Sequence, residues 1–231
     1  MPTVLVTGAN RGIGLEFARQ YADDGWKVIA ACRDPAKAGD LKALDQGARG
    51  EVRVVQMDVA SDASVAAAKA AVGDTPVDIL IANAGVMGPQ RQHQPGKLDF
   101  PGWLETLSVN ALGPVRVADA FLPNLRAGRD KKLIAITSGM GSTAESGGGY
   151  LAYRASKAAL NNAWVGLSIA LKSDGFVCVV MSPGWVKTDM GGAGAELTPA
   201  QSVGAMRKLI AGFGKVDSGR FVGWKGEDIA W

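Results

Sequence analysis

Five β-favouring residues, Thr3 to Thr7, run without a spacer into Gly8-Ala9-Asn10-Arg11-Gly12-Ile13-Gly14, and the chain continues as L-E-F-A-R-Q-Y-A-D-D to Gly25. This order reads as strand, glycine loop and helix, with Gly25 as the helix stop. No other stretch restricts the fold as strongly. A loop that turns a strand straight into a helix leaves bare backbone at the helix N-terminus, which suits a pyrophosphate. It is not a P-loop, because no Gly-Lys-Ser/Thr follows. It also departs from G-x-G-x-x-G, since Phe17 stands where a third glycine or alanine would. A tight strand–helix turn with no ligand is the alternative reading of these glycines.

The rest of the chain repeats the strand-then-helix rhythm. Strands are expected at Lys27–Ala31, at E-V-R-V-V-Q-M before Asp58, at V-D-I-L-I-A before Asn83, and at K-L-I-A-I-T-S ending on Ser138. Two more are expected at Phe176–Met181 and Arg220–Val222. Helices are expected near Ala36–Gln46, from Ser61 to Gly73, after Gly149, and near Pro199–Ala211. A longer helical span over 102–126 is bent or broken by Pro114 and Pro123. Such alternation predicts an α/β fold, a doubly wound and mostly parallel sheet of seven strands with helices on both faces. With 231 residues and no repeat or linker, the chain reads as one domain over 1–231. Residues 184–198 are glycine-rich and read as a mobile substrate loop. Residues 86–100 read as a polar loop whose His93, the only histidine, has no chemical role.

Composition narrows the function. The 47% apolar and 20% charged content is that of a soluble globular protein, and a net charge of +3 without basic runs does not imply nucleic acid. No run of about 18 apolar residues implies a membrane, and V-L-V-T-G begins without a signal peptide. Cys32 and Cys178 lie in apolar strands and read as buried thiols, which suits a reducing cytoplasm. No metal site is expected.

Two clusters carry chemistry. Tyr153 and Lys157 lie four apart in an alanine- and leucine-rich stretch, hence on one face of a helix. An adjacent ammonium would pull the phenol below its usual pKa of about 10 and make it a proton donor near neutral pH. The second cluster closes Lys27–Ala31 as A-A-C-R-D. An acidic residue here marks NAD, whereas Arg33, with Arg11, suits a 2′-phosphate and favours NADP. Asp34 would favour NAD if the alignment shifted by one residue.

T-G-A-N-R-G-I-G, D-V at 58–59, N-A-G at 83–85, Asn110 in V-N-A-L-G-P, Ser138, Y-R-A-S-K and P-G-W-V-K-T occur in register over nearly the whole chain. Together they resemble the short-chain dehydrogenase/reductase family, with details similar to its C-factor/Sniffer-like carbonyl reductase branch. The resemblance implies a Rossmann fold and a tetrad of Asn110, Ser138, Tyr153 and Lys157. It puts Gly8, Asn10, Arg11, Gly12, Ile13 and Gly14 beside the phosphates and ribose, and Asp58 and Val59 around the adenine. Asn83, Ala84 and Gly85 would line the ribose or brace the sheet, while Pro183, Gly184, Val186 and Thr188 flank the nicotinamide. Tyr153 and Lys157 would touch the cofactor as well. The implied activity is NADP-dependent hydride transfer to a small carbonyl or from an alcohol, in a cytoplasmic enzyme that forms homo-oligomers. A nucleotide-binding signalling protein of the C-factor type is the alternative. Tyr150 would border the pocket or cap the helix, and Ser142 competes with Ser138 less well. The loop between Ser138 and Tyr153 is slightly longer than the family's common spacing and would reshape the substrate pocket, with Trp185 as an apolar wall.

Overall fold

The structure is a computed structural model that describes residues 1–47, 49–88 and 95–231; His93 lies outside the described residues. Seven strands, β1 (Thr3–Thr7), β2 (Lys27–Cys32), β3 (Val52–Gln56), β4 (Ile79–Ala82), β5 (Lys132–Ile136), β6 (Val177–Ser182) and β7 (Phe221–Gly223), form one sheet. Its order is β3-β2-β1-β4-β5-β6-β7, with every neighbouring pair parallel. The helices are α1 (Gly12–Asp23), α2 (Gly39–Gly47), α3 (Asp62–Val72), α4 (Phe100–Leu107), α5 (Gly113–Ala120), α6 (Leu122–Ala127), α7 (Leu151–Ala170) and α8 (Pro199–Gly212).

Strands β1, β4, β5 and β6 are buried at every position, because a parallel sheet covered on both faces has no wet side. Edge strand β3 instead exposes Arg53 and Gln56. Alternate residues serve opposite layers. Val4, Val6, Ile79, Ile81, Ile134 and Ile136 pack with Phe17 and Tyr21 of α1, Leu41 of α2 and Met206 of α8. Leu5, Leu80 and Leu133 face the layer of Val65 from α3, Val117 from α5, Phe121, and Leu160 and Trp164 from α7. Burying each such side chain contributes about 1.5–3 kcal/mol. Trp164 also donates its indole N–H to Leu133 O at 3.0 Å.

The expected span over 102–126 is broken where its prolines stand. Pro114 and Pro123 each fall in the first turn of a new helix, α5 and α6, where a missing N–H leaves no bond unmade. Between α4 and α5, Ser108–Leu112 widens into a π turn. No residue pattern over 108–112 signals that widening.

Residues 184–198 are not a loose loop. Val186 bridges Leu197, and Lys187 N–H donates to Leu197 O at 2.8 Å. The Thr188 hydroxyl accepts Gly191 N–H at 3.1 Å, and Trp185 Nε1 donates to Gly191 O at 2.8 Å. Glycine here supplies positive φ at Gly184 and Gly192 for a closed, internally bonded turn.

The strand order reverses direction between β1 and β4, the crevice where doubly wound sheets bind ligands. Two backbones meet there. A Cβ on Gly8 (φ 65°) would lie 2.9 Å from Ala84 Cα, and one on Gly14 would lie 2.2 Å from Gly8 O. Thr7 Oγ1 accepts the N–H groups of Asn83 and Ala84, both at 3.0 Å, and Asn83 Nδ2 donates to Thr7 O (3.0 Å) and Gly8 O (3.3 Å). Asn83 thus braces the sheet. Asn83→Ala is expected to lower unfolding stability by about 1–3 kcal/mol, read from urea midpoints, because two strand-end carbonyls lose their donor.

Candidate active site

Ser138, Tyr153 and Lys157 converge just past the carboxyl end of β5. Ser138 follows the strand in extended conformation, and its Oγ accepts Met140 N–H at 3.1 Å and reaches the Tyr153 phenol. Tyr153 and Lys157 are buried on α7, and Lys157 Nζ stands over the Tyr153 ring, 5.8 Å from its centroid. Nζ donates to Ile136 O at 2.9 Å, so the last carbonyl of β5 fixes the ammonium. The helix starts where it does because Gly148 and Gly149 take positive φ and Tyr150, itself at φ 47°, occupies the N-cap position. Tyr150 therefore stands as the cap residue.

Asn110 sits in the π turn with 0% exposure. Its Oδ1 accepts Val86 N–H at 2.8 Å, and Nδ2 donates to Val86 O (2.8 Å) and Ser156 Oγ (3.0 Å). Gly85 permits this approach, since a Cβ there would lie 3.3 Å from Asn110 Oδ1 and 3.5 Å from Lys157 Nζ. Ser156, within the Y-R-A-S-K motif, joins this set although nothing in its spacing sets it apart from a helix-surface serine. Its hydroxyl donates to Tyr153 O at 2.7 Å and ties Asn110 to α7. Ser142, the rival to Ser138, is buried and accepts Glu145 N–H, which makes it a turn residue.

The expected depression of the tyrosine pKa is not found. Burial raises Tyr153 above its ordinary value and outweighs the lowering by Ser138. Burial also pushes Lys157 down to about 8. Both groups leave water together, so neither charged form is favoured by the other enough to offset desolvation.

The glycine loop forms the other wall. Helix α1 begins with Arg11 at the N-cap, with no side-chain cap and no acidic residue in its first turn. Its positive end and amide donors therefore suit an anion. Gly12 (φ 55°) lies against Thr188, whose Cγ2 would stand 3.2 Å from an added Cβ. Arg11 pairs with Asp189 at 2.6 Å, both exposed, joining the glycine loop to the turn after β6. Asn10 is half-buried, and Ile13 packs on the core beneath α1. Pro183 O accepts Ser202 Oγ at 2.6 Å, and a side chain at Gly184 (φ 77°) would strike Leu197 and Trp224. Val186 is buried, and Trp185 is 58% exposed, so it is no core residue.

Arg33 is exposed directly after β2. Asp34 caps the short turn Pro35–Lys37, accepting Ala36 N–H at 3.1 Å and pairing with Lys37 at 3.1 Å. The hydrogen bond from Lys37 is the main reason its carboxyl lies below the ordinary range. Asp58 follows β3, where Oδ1 accepts Ala60 N–H at 3.0 Å; Val59 is buried beside Gly113, and its O accepts from Arg116. Every expected site residue thus lies at the carboxyl edge of the sheet. Val59 turns its side chain into packing, and Arg11 is engaged by Asp189. An open helix terminus, glycines at close approaches and a cationic strand end together fit a nicotinamide dinucleotide. Among the described residues, no group of three or more His, Cys, Asp or Glu is placed to hold a metal.

The fold is that of a dinucleotide-dependent oxidoreductase, and Ser138, Tyr153 and Lys157 form its candidate centre. Residues 2–196 match the family model described as short chain dehydrogenase, and the chain belongs to that family as an NAD(P)-dependent short-chain dehydrogenase/reductase. It is 46% identical to C-signal of Myxococcus xanthus over 157 residues, which span 68% of this chain and 93% of that protein. The carbonyl reductase Sniffer of D. melanogaster superposes with a TM-score of 0.88 at 31% identity, covering 100% of both chains. The NADPH-bound carbonyl reductase from chicken fatty liver superposes with a TM-score of 0.89 at 33% identity, covering 100% of this chain and 99% of that one. The likeness to the C-factor/Sniffer-like branch is therefore borne out.

The buried lysine has a pH signature. Its folded pKa of about 8 lies below its ordinary 10.5, so the unfolded chain binds more protons between these values and stability contributed by this site rises with pH. The stability difference between wild type and Lys157→Met is expected to shift in favour of wild type from pH 8 to 10.5, measured by urea unfolding. Taking the difference removes the opposing effect of the Cys178 thiol, which burial pushes up to about 12.

Proposed function

We propose that this protein is an NADP-dependent reductase of small aldehydes or ketones, able to oxidise the corresponding alcohols. The observation that carries this reading is the contiguous buried set Ser138, Tyr153 and Lys157 beside the open N-terminus of α1. When bound, the nicotinamide supplies hydride to the carbonyl carbon. Ser138 Oγ, standing at the phenol, would hydrogen-bond the same substrate oxygen and stabilise the charge that grows on it. Tyr153 would give its proton to that oxygen. A phenol kept neutral by burial holds this proton at pH 7, and Lys157, already unusually easy to deprotonate, would return one to it. Lys157 would also hold the ribose. Asn110, with its side chain committed to Val86 and Ser156, would offer its main chain to a water that resupplies Lys157.

For the cofactor, Gly8, Asn10, Gly12, Ile13 and Gly14 would cradle the pyrophosphate, and Asp58 and Val59 would border the adenine. Asn83, Ala84 and Gly85 would form the floor, and Pro183, Gly184, Val186 and Thr188 the wall near the carboxamide. Arg33 would pair with a 2′-phosphate, joined by Arg11 once it leaves Asp189. The engagement of Asp34 by Ala36 and Lys37 supports NADP over NAD, because its carboxylate is already committed. The NADP-bound neighbours point the same way. The enzyme would work in the cytoplasm on a small molecule, as a homo-oligomer. Among the described residues, no helix is long and apolar enough to cross a membrane. The similarity to C-signal supports a second reading, a nucleotide-bound signalling protein using the same fold.

Tyr153→Phe is expected to cut carbonyl-dependent NADPH oxidation by about 10²–10⁴ while leaving NADPH binding unchanged. A wild type that binds NADPH yet reduces no aldehyde or ketone from a broad panel would favour the signalling reading. Arg33→Ala is expected to weaken NADPH binding by about 1.5–3 kcal/mol, tenfold or more, in a fluorescence titration, with little change for NADH. Tighter binding of NADH than NADPH by wild type would refute the cofactor assignment.

A further inference from the structure

The loop Gly139–Tyr150 joins Ser138 to the helix of Tyr153, so its inner side must border any carbonyl held between them. Its first part is anchored: Gly141 and Ser142 are buried, and Asn161 Nδ2 donates to Gly141 O at 3.4 Å. From Thr143 to Tyr150 every residue is exposed, so no apolar side chain in that run is buried to fix its position. Polar tethers take over this task. At the far end, Arg154 Nε donates to Gly148 O at 2.9 Å. At the near end, Thr143 Oγ1 and Ala144 N–H both donate to the main-chain oxygen of Trp231, at 3.0 and 2.9 Å.

Trp231 is itself held from behind. Its ring packs on Phe221 of β7 at 5.4 Å between centroids, and Phe221 is 2% exposed. The tail that carries it folds back along β7, with Ile229 N–H on Phe221 O (2.9 Å) and Asp228 paired to Arg220 (2.9 Å). The seventh strand therefore reaches the substrate side through one aromatic residue and one oxygen.

We propose that Trp231 is a positioning residue for substrate binding: its indole seats on Phe221 so that its main-chain oxygen fixes Thr143 and Ala144, and with them the pocket wall. The inference rests on the carbonyl reductase reading of this site. It concerns substrate fit alone, since among the described residues no hydrogen bond or ion pair joins the glycine loop or Lys157 to the tail.

The test compares wild type with Trp231→Ala, Trp231→Phe and Thr143→Val, using propanal as a small probe and phenanthrenequinone as a bulky one. In Trp231→Ala, KM for the quinone is expected to rise about fivefold, with kcat and the NADPH dissociation constant within about twofold of wild type. Propanal should respond less, Thr143→Val should shift KM in the same direction, and Trp231→Phe should restore wild-type behaviour. Hydrogen exchange should quicken in residues 143–149 of Trp231→Ala and not in β5 or α7. Unchanged exchange in that loop overturns the tether whether or not the protein is active. Unchanged KM, or a parallel loss of kcat, cofactor affinity and thermal stability, overturns the positioning role. A wild type that reduces neither probe while loop exchange does respond locates the failure in the proposed reaction, and the role in substrate fit falls with it.

Discussion

The site exists because two backbones approach more closely than side chains would allow. At the junction of β1 and β4, Gly8 lies against Ala84 and Gly14 lies under the Gly8 carbonyl, with Asn83 closing the gap. This contact fixes where α1 begins. The start of α1 then fixes where its positive terminus points relative to the ends of β4 and β5, on which Lys157 and Ser138 depend. A side chain at Gly8 or Gly14 would push α1 off the sheet. The damage would reach both the anion cradle and the layer of Phe17 and Tyr21 beneath it.

Electrostatics at the centre follow from burial more than from pairing. Lys157 is held by one carbonyl and the face of one ring, and no carboxylate among the described residues pairs with it, so its ammonium is weakly stabilised. Tyr153 keeps its proton for the same reason. In the proposed reaction, a phenol reluctant to ionise and an ammonium that readily gives up its proton would form a relay when a polar substrate arrives between them. The asymmetry is a property of the protein before any ligand adds its charge.

Much of this was legible in the sequence. The alternation of apolar runs and helical stretches predicts a mostly parallel sheet, because strands buried on both faces must be apolar throughout, as in V-L-V and I-L-I-A, and every neighbouring pair is parallel. Glycines mark the turns, prolines mark breaks in the helical span at 114 and 123, and Tyr153 and Lys157 share a face as helical spacing requires. Other features were hidden for physical reasons. The π turn at Asn110 has no composition of its own; it accompanies long-range bonds from the amide of Asn110 to Val86 and Ser156, which local sequence does not display. The order of residues 184–198 depends on the Val186–Leu197 bridge, a contact between separated positions, so glycine content alone misreads it as freedom. The tyrosine pKa is not legible from spacing, which reveals a neighbour but not the loss of water around it.

The exposed run from Thr143 to Tyr150 adds no apolar side chain to either core layer, and its anchors lie outside itself. With the proposed pocket wall in this run, the free energy that folds this protein and the surface that would select its substrate draw on different residues. Substitutions in this run can change the shape of the pocket with little effect on stability, so related chains can diverge in what they reduce while sharing one scaffold. The same separation makes this segment a favourable target for altering selectivity by design.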